Sequence, residues 1–315
     1  MNGKENIADD HPLSLGNVGT YGRRAANQIV AEADLVFFAG SRAGGLTTNN
    51  WTLPRQGTPT IQLDINGEEL GRNYPAKAGL LGDAKLTLQQ MTEACPRSAP
   101  RPAWVRHAQA ALAAWREGLA GALTSDAVPI RPERLCKEIS EFLPERAILA
   151  ADTGHAAIWT GTMVGLTKPG QRYIRCAGTL GWGFPAALGA KCAAPDRPVL
   201  CFTGDGGLCY HLAELETAAR AGINAVIVVN NNGALQQVKK GIDTSYGGKQ
   251  WGRSKEMWVF KPGIDYARVA EDLGCLGIRV EKPGEIRGAL DKAFAAARPA
   301  LIDVATDIEA APPWG

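Results

Sequence analysis

A chain of 315 residues is long enough to form two domains, each with its own hydrophobic core. With 45% hydrophobic and 21% charged residues, the composition is that of a globular protein and excludes extensive disorder. The net charge of +2 argues against a nucleic-acid partner held by charge, and no apolar run approaches the roughly 18 residues that predict a membrane span.

The N-terminal residues and the cysteines favour a cytoplasmic protein. The opening sequence Met-Asn-Gly-Lys-Glu-Asn is too polar for a secretory signal peptide. The seven cysteines show no CxxC spacing of the kind that binds zinc, and several of them lie in apolar runs. We therefore expect reduced thiols, several of them buried, and no zinc site.

Residues 1–95 alternate between helix and strand patterns and predict a partial α/β domain. A turn-rich stretch over 11–20 leads into the first helix, and Gly82-Asp83 precede the last one. The expected elements are a helix over 23–33, a buried strand over 34–39, a strand over 60–65, a short helix at 68–70 and a helix over 84–94.

Residues 96–127 are expected to form a linker. Three prolines between 96 and 102 interrupt the chain before an alanine-rich stretch, 104–123, that is typical of a helix. Trp115 is expected to anchor this helix by packing. Such a helix is more typical of a connector than of a binding site.

Residues 128–315 predict a second α/β domain in which strands alternate with helices. This alternation is typical of a parallel sheet covered by helices on both faces, so the predicted fold class is α/β with two parallel-sheet domains. A loop-rich stretch over 244–261 interrupts the pattern. The other expected elements are helices over 132–142, 208–219, 266–273 and 285–297, a small-residue helix ending at 193, and strands over 147–151, 173–176, 198–202, 225–229, 277–280 and 299–305.

Two polar turns follow neighbouring strands of this second domain. Residues 204–207 read Gly-Asp-Gly-Gly, and residues 230–233 read Asn-Asn-Asn-Gly. Because the carboxyl ends of parallel strands meet at one edge of a sheet, we expect both turns to lie there. A carboxylate and a carboxamide are hard oxygen ligands suited to Mg²⁺, and glycines at a helix N-terminus let the backbone approach a phosphate. The pattern therefore predicts a divalent metal that clamps a diphosphate.

Gly-Asp-Gly followed by paired asparagines resembles the cofactor motif of thiamine-diphosphate (ThDP) enzymes. Asn232 lies 27 positions after Asp205, which suits that motif. Gly-Asp-Gly alone would equally suit an ordinary turn between a strand and a helix, but the asparagines at this spacing favour the cofactor. The first domain carries Ala-Asp-Leu-Val, Gly-Ser-Arg, Leu-Asp-Ile and Gly-Asp-Ala in that order, which resembles the central domain of the acetolactate synthase branch.

Members of that branch combine three domains, and the resemblance covers part of the central domain and all of the diphosphate-binding domain. It implies ThDP and Mg²⁺ as cofactors. The pyrimidine-binding domain, which supplies the glutamate that activates the cofactor, is absent from this sequence. No catalytic residue is therefore expected on this chain, and the activating glutamate is expected on a partner subunit.

The resemblance also implies roles for individual residues. The metal ligands would be the Asp205 carboxylate, the Asn232 carboxamide and the backbone carbonyl of Ala234. The carbonyl of Gly178 would accept a hydrogen bond from the amino group of the cofactor. Leu180 would hold the two cofactor rings in a bent conformation, with core packing as its alternative role. The implied cofactor-binding residues are Gly154, His155, Gly178, Leu180, Gly204, Gly206, Gly207 and Asn232.

Three departures from the synthases bear on one contact and on the substrate. After Gly154 the synthases often carry Gln-His, whereas this chain carries His155-Ala156, so His155 also fits a surface turn. Gly241 stands in place of the tryptophan that selects small acceptors, and Gln237 replaces an apolar residue of the reaction pocket. We therefore expect a substrate pair other than two pyruvates, although a degenerating copy would show the same changes.

In the first domain, the loop 40–42 and Asp64 fall where members of the family contact FAD or an adenine nucleotide. The residues that follow this loop, 43–45, read Ala-Gly-Gly and lack the acidic pair of the flavin-binding synthases. The resemblance therefore disfavours FAD, and Arg42 equally fits a residue that braces the loop or an interface.

These observations predict one subunit of a split, ThDP- and Mg²⁺-dependent carbon–carbon lyase or carboligase. Its donor would be a 2-oxo acid or a related carbonyl compound that loses CO₂ before the remaining fragment is protonated or added to an acceptor. A second subunit would carry the pyrimidine-binding domain and the opening of the central domain in a hetero-oligomer. Without such a partner, the truncated central sheet would expose a strand edge and apolar surface. The alternatives are a truncated single-chain synthase and a non-catalytic ThDP-binding or regulatory subunit.

Overall fold

The computed structural model of this protein describes residues 3–95, 101–249 and 251–312. These residues form two sheets, and the paired strands in both run parallel. The predicted α/β class is therefore confirmed. Within the described ranges no helix is both long enough and apolar enough to cross a membrane.

The first compact unit spans residues 11–118 and contains a three-stranded sheet flanked by helices. Its elements are α1 (Arg24–Glu32), β1 (Val36–Ala39), β2 (Thr60–Asp64), β3 (Ala76–Leu81), α2 (Ala84–Ala94) and α3 (Pro102–Glu117). In the sheet, β2 lies between β1 and β3.

The sequence does not predict β3. Its residues, Ala-Lys-Ala-Gly-Leu-Leu, include none of the β-branched and aromatic side chains typical of strands. β3 forms because its backbone pairs with β2, where Ile61 lies opposite Ala78 and Asp64 opposite Leu81. Tertiary pairing therefore decides this strand.

β1 is partly exposed, so the prediction of a buried strand over 34–39 is wrong. Phe37 is 37% exposed, and Leu35, just before the strand, is 46% exposed. The physical reason is that β1 is an edge strand, which among the described strands pairs with β2 alone. Helix α2 buries none of its residues, and its Leu86 is 60% exposed. This unit therefore presents apolar side chains that the described residues leave uncovered.

The stretch predicted as a linker, 96–127, is divided between the two compact units. Helix α3 packs against α1 and buries Leu112. The guanidinium carbon of Arg23 lies 5.3 Å from the ring centre of Trp115. Trp115 is thus a packing residue, as predicted. A short helix, α4 (Ala120–Leu123), follows, whereas 96–100 lie outside the described residues.

The second compact unit, residues 119–312 with 3–10, contains a six-stranded sheet. Its strands are β4 (Ile148–Ala151), β5 (Arg172–Arg175), β6 (Val199–Gly204), β7 (Val226–Asn231), β8 (Leu276–Val280) and β9 (Ala300–Ala305). Its longer helices are α5 (Pro132–Phe142), α6 (His155–Met163), α7 (Gly183–Ala193), α8 (Asp205–Cys209), α9 (Glu214–Ala221), α10 (Gln236–Tyr246), α11 (Tyr266–Asp272) and α12 (Ile286–Ala295). In the sheet the strands lie in the order β5-β4-β6-β7-β9-β8.

Helices cover both faces of this sheet, as predicted. The central strands β6 and β7 are apolar up to their polar carboxyl ends, because the side chains on both of their faces are buried. On one face, Leu200 and Val228 pack with residues of α5, α6 and α12. On the other face, Cys201 and Ile227 pack with residues of α7, α9 and α11. The sheet therefore separates two hydrophobic cores.

The cysteines are all free thiols. Cys136, Cys201 and Cys275 are buried, and burial raises the pKa of each of these three thiols. This agrees with the expectation that several cysteines are reduced residues of a core.

Helix boundaries differ from the prediction around the first polar turn. The helix predicted over 208–219 is two helices, α8 and α9, and α8 contains two glycines, which are poor helix formers. Leu208 and Leu215 are both buried and belong to the same hydrophobic core. The sequence does not predict α6 or α10. Helix α6 lacks an amphipathic period because every residue but its last is buried.

Residues 3–10 belong to the second unit, and a buried ion pair between Lys4 and Asp9 braces this segment internally. Lys4 Nζ lies 2.7 Å from Asp9 Oδ2, and the two side chains are only 2% and 6% exposed. Asp9 Oδ2 also accepts a hydrogen bond from the backbone N–H of Leu166 at 3.0 Å. Glu5 accepts hydrogen bonds from two residues of the edge strand β5. This segment therefore covers the outer edge of the sheet.

The substitution Asp9→Ala would remove the carboxylate from the buried Lys4 ammonium. Breaking a buried ion pair by removing one partner typically costs about 3–5 kcal/mol, so we expect the free energy of unfolding to fall by about that amount. Urea denaturation followed by circular dichroism measures the change. Glu216→Ala is the control, since it breaks an exposed pair and should cost less than about 1 kcal/mol. Equal losses of unfolding free energy in the two variants would contradict the burial of the Lys4–Asp9 ion pair.

Candidate functional site

Asp205 joins the two polar turns. It directly follows β6, and β6 pairs with β7 so that Gly204 lies opposite Asn230. Asp205 Oδ2 accepts hydrogen bonds from the backbone N–H groups of Asn232 and Ala234, both at 3.1 Å. The structure therefore brings the two turns together at the carboxyl edge of the sheet, as parallel strands require.

The Asp205 carboxylate is buried, with 2% of the residue exposed. Burial raises the pKa of Asp205 to about 6, although hydrogen bonds from neighbouring backbone N–H groups act in the opposite direction. A cation close to this carboxylate would favour its charged form.

Asn232 presents an oxygen that lacks a hydrogen bond. Its Nδ2 donates to Gln236 Oε1 at 3.0 Å. Its Oδ1 is buried and has no hydrogen-bond partner among the described residues. Buried acceptors in proteins are nearly always paired, so an ion or a water molecule is the expected partner. The backbone carbonyl of Ala234 accepts the N–H of Gln236 at 3.0 Å and keeps a second lone pair.

These donors fit a Mg²⁺ ion. A buried carboxylate, an unpaired carboxamide oxygen and a backbone carbonyl are all hard oxygen ligands. Asn232 and Ala234 supply the last two from the turn after β7, and Asp205 is hydrogen-bonded to that turn. The three predicted metal-binding residues thus lie together in the fold. Their coordination of a metal stays a prediction.

His155 is the first residue of α6 and is 7% exposed, so the alternative of a surface turn residue is wrong. Its Nδ1 lies 3.0 Å from Gln236 Oε1, and an amide oxygen only accepts, so Nδ1 carries the hydrogen. Burial lowers the pKa of His155 and favours the neutral ring. Gly154, before it, has φ 73° and ψ −150°, a conformation that is essentially restricted to glycine. Gln237 Oε1 lies 3.3 Å from the place that a Cβ on Gly154 would take.

A second buried carboxylate, Asp152, organises the other side of the site. Asp152 Oδ1 accepts a hydrogen bond from the backbone N–H of Gly181 at 2.9 Å. Its Oδ2 accepts one from the Thr203 hydroxyl at 2.8 Å. Asp152 is completely buried, and burial raises its pKa. Because Asp152 follows β4 and Thr203 lies in β6, this carboxylate fixes the loop before α7 against two strand ends.

That loop carries the two residues predicted to contact the pyrimidine ring of the cofactor. Gly178 is exposed, and its N–H donates to Thr153 Oγ1 at 3.1 Å. Leu180 is half-buried and belongs to neither hydrophobic core, so its alternative role in core packing is wrong. The contacts of Gly178 and Leu180 with a cofactor stay predictions.

Gly206 and Gly207 are closely packed within the turn. A Cβ on Gly206 would overlap the end of the Leu235 side chain, and a Cβ on Gly207 would overlap the buried Asp152 carboxylate. At Gly204, by contrast, no atom lies within 4 Å of the Cβ position. Packing therefore accounts for two of the three glycines, and Gly204 is the one that leaves open space.

A cavity of about 490 Å³ lies beside the β7 turn. Its rim is basic and includes Lys239, Lys255, Lys261 and Arg279. Of the residues predicted to bind the cofactor, only Asn232 borders it. The cavity therefore adjoins the predicted diphosphate position and does not coincide with it.

The sequence matches two family models that share one enzyme class. Residues 152–304 match the C-terminal TPP binding domain of thiamine pyrophosphate enzymes, where TPP is another name for ThDP. Residues 1–91 match the central domain of the same enzymes. Neither match is to a pyrimidine-binding domain. The chain belongs to the thiamine pyrophosphate enzyme family, and the predicted resemblance is confirmed.

Three relatives illustrate this membership. A probable acetolactate synthase large subunit of Methanococcus aeolicus is 30% identical over 97% of this chain and 52% of its own length. The acetolactate synthase isozyme 3 large subunit of Escherichia coli K12 is 29% identical over 94% of this chain and 52% of its own length. Glyoxylate carboligase of Escherichia coli O157:H7 is 30% identical over 92% of this chain and 50% of its own length. The chain therefore spans about half the length of the curated relatives it matches.

Sequence reasoning missed two residues that organise the site, Asp152 and Gln236. Asp152 follows an apolar strand as Asp205 does, and this shared position was the available signal. Gln236 gave no signal, because its side chain bonds to His155, 81 positions away, and to residues 72 and 74 positions away. Such distant contacts are visible only in the folded chain.

The glycine contacts predict different effects for two alanine substitutions. Gly207→Ala would drive a methyl group into Asp152 Oδ2, so we expect a loss of about 1–3 kcal/mol in the free energy of unfolding. Gly204→Ala is the matched control, because it adds the same methyl group in open space and should leave stability unchanged. Thermal unfolding of the two variants measures the difference. Equal melting temperatures would contradict the close approach of Asp152 to the turn.

Proposed function

We propose that this chain binds ThDP through Mg²⁺ and contributes the diphosphate-binding half of an active site. The observation that carries the proposal is that the buried Asp205 carboxylate accepts the backbone N–H of Asn232, whose own Oδ1 is buried and has no hydrogen-bond partner among the described residues. Asp205, Asn232 and the carbonyl of Ala234 would hold the metal. Membership of the thiamine pyrophosphate enzymes supports this choice of cofactor.

Other residues of the chain would position the cofactor. Gly154, His155 and the turn from Gly204 to Gly207 would lie on its diphosphate side. Gly178 and Leu180 would lie on its pyrimidine side, where the loop is braced by Asp152. The bound cofactor would supply the electron sink that breaking and forming carbon–carbon bonds requires.

The proposed reaction is that of a carbon–carbon lyase or carboligase acting on a 2-oxo acid or a related carbonyl donor. The names of the relatives, acetolactate synthase and glyoxylate carboligase, support this reaction class. Gln237 lies on the first turn of α10 beside Gly154, and Gly241 leaves open space on the same helix. These two positions favour an acceptor that differs from that of the acetolactate synthases. We also propose a cytoplasmic location, which the free cysteines support because thiols stay reduced there.

A second subunit with the pyrimidine-binding domain would complete the site and supply the activating glutamate. The uncovered apolar residues of the first unit support such a partner, since Phe37, Leu81 and Leu86 are each more than one-third exposed. The partner's own strands and helices would cover them in a hetero-oligomer. The alternative arrangements are a longer single chain that carries both halves and a ThDP-binding subunit without turnover.

The metal site is tested by the substitution Asp205→Ala. Removing a direct ligand should weaken Mg²⁺-dependent ThDP binding by more than about 100-fold, which exceeds the usual effect of substituting a residue that only supports a ligand. Isothermal titration of ThDP at several Mg²⁺ concentrations measures this. Asp196→Ala is the control, because it removes an exposed aspartate that is paired with Arg146. Unchanged binding in Asp205→Ala would rule out the proposed site.

The partner is tested by purifying the tagged chain from its source organism and assaying the turnover of 2-oxo acids. We expect a co-purified polypeptide with a pyrimidine-binding domain, and turnover only while it is bound, because half of the active site lies on it. Mass spectrometry identifies the polypeptide and reports the native length of this chain. A monomer that turns over 2-oxo acids with ThDP and Mg²⁺ would refute the split arrangement. A native chain about twice as long would place both halves on one polypeptide.

A further inference from the structure

The side chain of Gln236 uses every hydrogen-bonding position of its carboxamide. Oε1 accepts hydrogen bonds from Asn232 Nδ2 and from His155 Nδ1, both at 3.0 Å. Nε2 donates to the backbone carbonyls of Ile308 and Ala310, at 2.5 and 2.6 Å. A primary amide offers two acceptor sites and two donor hydrogens, so this set is complete. Gln236 is itself 7% exposed and therefore has little competition from water.

These four bonds fix the orientation of the Gln236 amide. Nε2 faces two carbonyl oxygens, and carbonyl oxygens only accept. If Oε1 and Nε2 were exchanged, Oε1 would face the carbonyl oxygens of Ile308 and Ala310, and all three atoms are acceptors. Nε2 would then face Asn232 Nδ2, which is also a donor. Oε1 must therefore point towards Asn232 and His155.

The orientation of Gln236 in turn fixes that of Asn232. A carboxamide that is free to rotate can offer either its oxygen or its nitrogen to a ligand. Because Gln236 presents an acceptor, Asn232 must direct Nδ2 towards it, and Oδ1 then faces the other way. That oxygen is the buried atom with no hydrogen-bond partner among the described residues. A metal ion binds the oxygen of a carboxamide, so this is the productive one of the two orientations.

We propose that Gln236 is a positioning residue of the metal site, which holds the Asn232 carboxamide with Oδ1 directed at the cation. This inference rests on the proposed Mg²⁺ site and extends it to a residue that would touch neither metal nor cofactor. It also links the site to the segment after β9, because Ile308 and Ala310 hold the other end of the same amide. His155 shares Oε1, so one oxygen orients both the start of α6 and the turn after β7.

The substitution Gln236→Leu tests the proposal in the full chain with its partner, if one co-purifies. Leucine keeps similar bulk and removes both the acceptor and the donors. Substituting a residue that orients a metal ligand typically lowers metal affinity 10- to 100-fold, so we expect the dissociation constant for Mg²⁺ at saturating ThDP to rise by about that factor. Titration of Mg²⁺ followed by calorimetry gives the constant without any measurement of turnover.

A second substitution separates the loss of orientation from a general loosening of the turn. A carboxylate presents an oxygen in both of its orientations, so Asn232→Asp removes the need for an orienting partner. In the Gln236→Leu background, Asn232→Asp should restore most of the Mg²⁺ affinity. With Gln236 intact, the same change would set a carboxylate oxygen against Oε1 and should weaken binding. Opposite effects of one substitution in the two backgrounds are the signature of direct coupling in a double-mutant cycle.

Gln171→Leu is the matched control. Gln171 is a buried glutamine of the same unit whose Nε2 donates to the carbonyls of Leu143 and Pro144, both at 3.1 Å. Both glutamine substitutions should lower the melting temperature, because each removes buried hydrogen bonds, but Gln171→Leu should leave the Mg²⁺ dissociation constant unchanged.

The outcomes separate the positioning role from the metal site itself. If Gln236→Leu leaves the Mg²⁺ dissociation constant unchanged, or Asn232→Asp fails to restore it, while Asp205→Ala abolishes binding, the positioning role is overturned and the metal site stands. If Asp205→Ala also binds ThDP and Mg²⁺ normally, the proposed function fails and the inference fails with it.

Discussion

Buried carboxylates at the carboxyl edge of the six-stranded sheet supply the hydrogen-bond acceptors on which the surrounding turns depend. Backbone N–H groups beyond the ends of strands have no ladder partner, and burying them unpaired is costly. Asp152 and Asp205 accept such groups after β4 and β6. Asp303, in β9, accepts the backbone N–H of Tyr266 and the side-chain amide of Asn231, both at 2.9 Å. Three aspartates thus hold together the loops of one sheet edge.

Of the three carboxylates, Asp303 alone has an ion-pair partner among the described residues, and Asp205 alone accepts a hydrogen bond from a residue whose carboxamide oxygen is unpaired. Asp303 lies 2.6 Å from the guanidinium of Arg279, so a cation of the protein compensates its charge. Asp205 has no ion-pair partner among the described residues, and the oxygen of Asn232 beside its turn is unpaired as well. A buried charge without a counter-charge is costly. An external cation would satisfy both groups, which is why the geometry favours a metal at Asp205.

Much of the fold follows from local pattern, and the errors have physical causes. Central strands such as β6 and β7 were predictable because burial on both faces leaves a continuous apolar run. Helix α6 was not, since it is buried on all sides and shows no amphipathic period. Strand β3 was not, since its pairing with β2 outweighs its weak strand propensity. The sequence also did not predict the exposure of β1, because apolar residues such as Leu35 and Phe37 give the same pattern in a covered strand and in an exposed one.

The sequence by itself determined the family and the α/β class, and it indicated the residues proposed as metal ligands, because a carboxylate and an asparagine at a set interval after two strands are local features. Only the tertiary structure decided how those groups are held. Gln236 orients Asn232, four positions away, but the bonds that fix its own amide reach 72 to 81 positions along the chain. Asp152 likewise packs against Gly207 and holds the loop before α7. Composition and spacing do not predict such contacts, since only folding brings the partners within hydrogen-bonding distance.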